Sequence, residues 1–174
     1  MSFERLDSRM EWEGRIAKVR VDRVRFDDGE EAEREVVEHP GAVAMIAHDG
    51  KVLYLVRQPR EAVGEEALLE LPAGKLDEEG EDEQATAERE LAEEIGKGAR
   101  SWKKLASFYT TPGFADEEMH LYLATDLYDR EAEADENERI EVVEWPLERL
   151  DDAIAECKDG KSLVGLLWFR AFVR

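Results

Sequence analysis

Cysteine is nearly missing from this chain of 174 residues; Cys157 stands alone, so no internal disulfide and no cysteine-rich zinc site can form. Long apolar runs are missing too. None approaches the ~20 residues needed to span a bilayer, so no membrane partner is expected. The first residues, Met-Ser-Phe-Glu-Arg-Leu-Asp, lack the layout of a signal peptide, and the expected location is the cytoplasm. Basic residues are few, 24 Lys and Arg against 44 Asp and Glu, for a formal charge of −20. That balance excludes nonspecific nucleic-acid binding, which needs clustered cations, and leaves a solubilising surface as the plain reading of most of the acidity. The three histidines, His39, His48 and His120, are too scattered for a ligand set, and no Ser, Cys or His signature of covalent catalysis is present. Repeats, linkers and low-complexity stretches are absent as well.

What is there is a core and one unusual helix. Hydrophobic residues make up 43% of the chain, enough for a folded domain of ordinary size with room for a small appendage. Residues 15–26 and 35–38 read as strands around an Asp28-Gly29 turn. Ala42–Ala47 and Lys51–Gln58 read as a hairpin through Asp49-Gly50, and Ala67–Leu71 as a short strand entering Pro72-Ala73-Gly74. Further strands are expected at Lys104–Tyr109, His120–Thr125 and Ile140–Trp145. Helices are expected over Glu83–Ile95 with Gly96 as the stop, near Pro146–Cys157, and near Ser162–Arg174. Strands interleaved with a few helices give an α/β or α+β sandwich.

On the first helix, Glu90, Glu93 and Glu94 stand at i, i+3 and i+4 and crowd one side. Exposed like charges at that spacing repel by a few tenths of a kcal/mol per pair, roughly, and a multivalent cation reverses the sign. Hard cations such as Mg²⁺ favour carboxylate and carbonyl oxygens and bridge them to phosphate, so the patch reads as a metal site for a phosphorylated substrate.

Residues 74–96 resemble the Nudix box: a glycine, five residues, a glutamate, seven residues, then Arg-Glu-apolar-x-Glu-Glu-x-Gly-apolar. Glu81, seven residues, and Arg89-Glu90-Leu91-Ala92-Glu93-Glu94-Ile95-Gly96 match without exception. Two departures exist: six residues separate Gly74 from Glu81, and Lys97 stands where an apolar residue is usual. Neither touches a carboxylate. The flanks, Glu38-His39-Pro40-Gly41-Ala42-Val43-Ala44, Val56-Arg57-Gln58-Pro59-Arg60, Leu69-Glu70-Leu71-Pro72-Ala73-Gly74 and Thr111-Pro112-Gly113-Phe114, resemble the ADP-ribose pyrophosphatase branch, with Pro112 sixteen residues past Gly96. The resemblance runs from about Ile16 to the C-terminus.

It implies a Nudix fold, a mixed β-sheet sandwiched between helices, with a small N-terminal antiparallel sheet over 1–39 as a dimerisation element and the hydrolase domain over 40–174. It implies metal-dependent hydrolysis of ADP-ribose to AMP and ribose 5-phosphate, with Mg²⁺ or another divalent cation such as Mn²⁺. Glu90, Glu94 and the Ala73 carbonyl would bind metal, with Glu93 in the same shell and Glu138 as a further ligand. Glu81 and Arg89 would support them, Arg89 holding Glu81 or Glu93. Arg60 and Arg57 would contact phosphates or the terminal ribose. In the loop 135–139, Glu136 is preferred over Glu138 as the base that deprotonates water. Glu117 would shape the metal and ribose region, and Trp12 or Phe26 would reach the adenine across a homodimer. Two rivals stay open: another nucleoside diphosphate sugar or a dinucleotide as substrate, and a module that senses ADP-ribose without cleaving it.

Overall fold

The computed structural model describes residues 2–15, 17–132 and 139–173, and its chain divides into two units. The first comprises Met1–Gly41 and Tyr109–Glu118. Its strands β1 (Phe3–Glu13), β2 (Lys18–Phe26) and β3 (Glu31–Glu38) form an antiparallel sheet in the order β1-β2-β3. The sequence pattern led to β2 and part of β3 but not to β1. The reason is physical: β1 is exposed along almost its whole length, so no buried face imposes a period of two on it. Two register shifts, between Arg5 and Asp7 and between Met10 and Trp12, blur the alternation further. The expected turn is present, with Gly29 at φ 88° and the Asp28 carboxylate accepting from the Glu30 amide at 3.0 Å. Burial here is slight, and polar contacts do much of the cross-linking. Arg20 pairs with Asp22, with Glu38 at 2.7 Å and with Asp116 at 3.0 Å.

The second unit comprises Ala42–Phe108 and Met119–Arg174. Strands β4 (Ala42–His48), β5 (Val52–Arg60), β8 (Lys97–Tyr109), β9 (Glu118–Asp129) and β10 (Glu141–Pro146) order as β10-β5-β4-β9-β8. Strand β6 (Glu65–Glu70) adds to β5, and the three-residue β7 (Ala73–Lys75) adds to β4. The sheet is mixed, because β4 runs parallel to β9 and antiparallel to β5 and β7. Strand β4 reads as an unbroken apolar run because both its faces are covered. Ala42, Ala44 and Ile46 point into one core with Leu150 and Ala153 of α2 (Leu150–Glu156) and Leu166 and Phe169 of α3 (Gly160–Phe172). Val43, Met45 and Ala47 point into another with Ala87, Leu91 and Ile95 of α1 (Glu83–Ile95). The sandwich of helices around a mixed sheet is therefore present. Of the two later expected helices, the first is trimmed, as a tight helical turn over Leu147–Arg149 precedes α2, and the second starts earlier than expected, at Gly160, and ends at Phe172. Among the described residues, no helix is long and apolar enough to cross a membrane.

Candidate active site

Helix α1 begins and ends where its sequence dictates. The Asp82 carboxylate caps it by accepting from the Ala85 amide at 2.8 Å, and Gly96, left-handed at φ 66°, closes it with a bond to the Ala92 carbonyl at 3.0 Å. The first turn is pinned to the sheet through Glu83, which accepts from the Tyr122 hydroxyl at 3.1 Å and pairs with Lys104. With both ends held, the rotation of α1 about its axis is set by Ala87, Leu91 and Ile95, which are buried on β4.

That rotation aims the glutamates. Glu94 is buried, and its carboxylate accepts from the Ala73 amide at 3.0 Å. Glu90 lies against Gly74, so closely that a Cβ built on Gly74 would stand 2.0 Å from the Glu90 carboxyl carbon. Gly74 is thus required by the approach of a side chain and not by a positive φ. Arg89 gathers the other carboxylates. Its Nε faces both oxygens of Glu81 at 3.1 and 3.2 Å, and its Nη1 donates to Glu90 at 2.9 Å and to Glu93 at 2.8 Å. Glu81 is held further by the Thr86 hydroxyl at 3.2 Å. Burial alone lowers the affinity of Arg89 for its proton, but the charge of Glu90 and the bonds to Glu81 and Glu90 outweigh it, and the pKa is raised. The sequence expectation of Glu81 or Glu93 as the arginine's partner is met by both, with Glu90 added.

Glu94 and Glu90 therefore meet the Ala73-Gly74 segment, and the Arg89 guanidinium links Glu90 to Glu81 and Glu93. Among the described residues, no three His, Cys, Asp or Glu side chains stand as a ready-made coordination cluster. Arg89 interposes between three of them and the Ala73 amide holds the fourth. Donor chemistry still fits a divalent cation, since the groups are carboxylate oxygens, one of them buried, packed where a glycine makes room.

The remaining expected site residues are spread over both units. Arg60, at the end of β5, makes a two-point pair with Glu70, Nε at 2.6 Å and Nη2 at 2.8 Å. Arg57 pairs with Glu156 and donates to the Ala67 carbonyl at 3.3 Å. In the first unit, Glu117 accepts from the Thr110 hydroxyl at 2.5 Å and lies 3.6 Å from His39 Nδ1. Trp12 is 56% exposed, which removes core packing as its explanation, and Phe26 carries the Arg34 guanidinium 5.7 Å above its ring. Glu136 and Glu138 lie outside the described residues. Lys97, the off-pattern residue after Gly96, pairs with Asp129 at 2.5 Å and holds its ammonium 5.6 Å above the Tyr54 ring.

In the sequence Glu70 stands only as part of a motif, and Lys161 carries no signal of a role. Glu70 is 1% exposed at the end of a strand whose Leu69 is also buried. A lone glutamate flanked by leucines just before Pro72 was the signal available.

The NUDIX domain family model matches residues 37–162. The chain is 41% identical over 163 residues to the methanol dehydrogenase activator of Bacillus methanolicus, covering 90% of this chain and 86% of that one. It is 44% identical over 139 residues to the ADP-ribose pyrophosphatase of Bacillus subtilis (strain 168), covering 78% and 74%. A crystal structure of an ADP compounds hydrolase superposes with a TM-score of 0.87 at 25% identity, over 99% of this chain and 95% of that one.

Proposed function

The chain belongs to the Nudix family, and from that premise we propose that it hydrolyses the pyrophosphate of ADP-ribose, yielding AMP and ribose 5-phosphate. One observation carries the reading: the carboxylates of α1 converge on the Ala73-Gly74 segment, with Glu94 buried against Ala73 and Glu90 lodged on Gly74. Two relatives support the substrate, one named an ADP-ribose pyrophosphatase and one an ADP compounds hydrolase.

Glu90, Glu94 and the Ala73 carbonyl are the residues to hold a divalent cation, Mg²⁺ or Mn²⁺, with Glu138 as a further ligand. A cation bound there supplies neutralisation of the pyrophosphate and a lowered pKa for a bound water. The chain's own contributions are distinct. Arg89 keeps Glu90 and Glu93 on one side of α1, and Glu81 just before it, at a spacing their charges alone would oppose. Arg60 and Arg57 offer forked donors that suit phosphate oxygens or the terminal ribose. Glu136 takes the proton of the attacking water. As the oxygen of that water bonds to phosphorus, the bridging P–O bond breaks and the leaving phosphate carries away the electron pair.

The N-terminal strands over 1–39 are the proposed dimerisation element, carrying Trp12 and Phe26 as candidates for the adenine across the dimer, and Glu117 is the candidate for the ribose. The exposure of Phe3, Met10 and Trp12 on one edge strand supports this. Light scattering should give twice the 19.9 kDa chain mass, and a monomer at micromolar concentration would remove the dimer. The proposed place of action is the cytoplasm.

The test is release of AMP or its equivalent from ADP-ribose, ADP-glucose, GDP-mannose and NADH with Mg²⁺. The highest kcat/KM is expected for ADP-ribose. A higher value for another compound moves the substrate to that nucleoside diphosphate sugar or dinucleotide. Calorimetric binding of ADP-ribose with no product after long incubation with Mg²⁺ or Mn²⁺ would make the protein a sensor and overturn the reading.

A further inference from the structure

Glu70 is a carboxylate with no solvent access to its side chain, and two cations meet it. Arg60 takes both of its oxygens, and Lys161 donates to Oε2. Lys161 also pairs with Asp159 at 2.9 Å. Asp159 is the cap of α3: it accepts from the Ser162 amide at 3.0 Å and from the Ser162 hydroxyl at 2.5 Å. That hydroxyl, fully buried, accepts in turn from the Leu71 amide at 2.7 Å. The first turn of α3 is therefore bolted to residues 70 and 71, immediately before the Pro72-Ala73-Gly74 segment that meets Glu90 and Glu94. Gly165 brings the helix still closer, since a Cβ there would stand 2.4 Å from Leu71.

We infer that Glu70 and the first turn of α3 are positioning elements, with Glu70 clamping Arg60 so that its guanidinium is presented to the substrate. The inference rests on the reading of Arg60 as a phosphate-contacting residue. A carboxylate buried at this depth must be matched in charge and hydrogen bonds, and the match consumes the Nε/Nη2 edge of Arg60. Two bonds on one edge fix the plane of a guanidinium. Meanwhile 42% of the Arg60 side chain stays exposed to solvent. An arginine at a strand end would otherwise spread over many rotamers, and ordering it at the moment of binding would weaken affinity. Lys161 lets Glu70 share its charge with a second cation, so Arg60 is not fully neutralised by its own clamp.

The experiment pairs Glu70→Gln with Arg60→Ala and the double variant, read in two ways. In steady-state hydrolysis of ADP-ribose, Glu70→Gln should raise KM about tenfold with kcat changed far less, the signature of lost ground-state binding. The double variant should be no worse than Arg60→Ala alone, because both remove one interaction. Independently of turnover, the phenylglyoxal modification rate of Arg60, followed by peptide mass mapping, should rise severalfold in Glu70→Gln. An unchanged modification rate, an unchanged KM, or losses that add in the double variant would overturn the clamp. No hydrolysis by the unaltered protein would overturn the functional reading instead, and the modification rate would still decide the clamp. If Glu70→Gln does not fold, Glu70→Asp carries both measurements, since the shortened carboxylate cannot reach both nitrogens.

Discussion

Arg89 faces three carboxylates, Glu81, Glu90 and Glu93, while Glu70 faces two cations, Arg60 and Lys161. The two clusters are built from the same groups in inverted proportion, and their settings differ too. The Arg89 cluster is partly solvated, so water screens its excess negative charge. Glu70 is sealed, so its charge has to be answered by the protein. Excess anions on α1 suit a metal, and an arginine held by its back edge suits the phosphates that such a metal would bridge. The contrast sets an anion-rich, partly solvated cluster against a sealed, charge-matched one.

The largest effect should come from Glu90→Gln. Loss of a ligand charge worth a few kcal/mol in the transition state corresponds to about three orders of magnitude in turnover, measured as AMP release with saturating Mg²⁺. Its stability should fall by less than about 1 kcal/mol, because Arg89 keeps Glu81 and Glu93. Near-normal turnover would show that the α1 cluster is an ion-pair network and nothing more.

Glu70→Gln should behave in the opposite sense, costing stability first. Breaking a buried pair by removing one partner costs about 3–5 kcal/mol, and the low end applies because Arg60 is half solvated. Urea unfolding measures it; a loss below about 1 kcal/mol would put the two clusters in the same class.

Gly74→Ala tests the geometry between them. A methyl group 2.0 Å from the Glu90 carboxyl carbon must push that side chain off its place, and a displacement near 1 Å can cost about a hundredfold in rate. Turnover within a few-fold of the unaltered protein would mean that the lodging of Glu90 on Gly74 is incidental.

The smallest effect concerns acid. Burial alone would raise the pKa of Asp159, but Lys161 and the bonds from Ser162 more than offset it and hold it below the ordinary carboxylate value. A depressed folded-state pKa gives stability that is present above the unfolded value, near 3.9, and is lost as pH falls through the folded one. Asp159→Asn keeps a capping oxygen for the Ser162 amide but loses the charge paired with Lys161, so it should lower stability by at most about 1 kcal/mol at neutral pH and flatten the decline below about pH 4. An unchanged acid limb in urea titrations would remove Asp159 from the clamp's support.

Local rules carried much of this molecule. The span Glu83–Ile95, its Gly96 stop, the hairpin through Asp49-Gly50 and the strand Ala42–Ala47 were legible because capping, turn chemistry and apolar runs act over a few residues. The carboxylates of α1 were legible for the same reason: i, i+3 and i+4 share a face on any helix. Strand β1 was not, since an exposed strand has no core to impose alternation. Three-residue β7 was not either, being defined by its pairing with Ala42–Ala44.

The sequence by itself determined the helix, its charge pattern and the glycine before it, because those follow from the geometry of one short segment. Only the tertiary structure decided which partner each charge meets. It seated Glu90 on Gly74, joined Glu94 to Ala73, and brought Lys161 to Glu70 across 91 positions of chain. Such pairings depend on how the helices pack on the sheet, and on the cost of burying a charge, which exists only once there is an interior to bury it in.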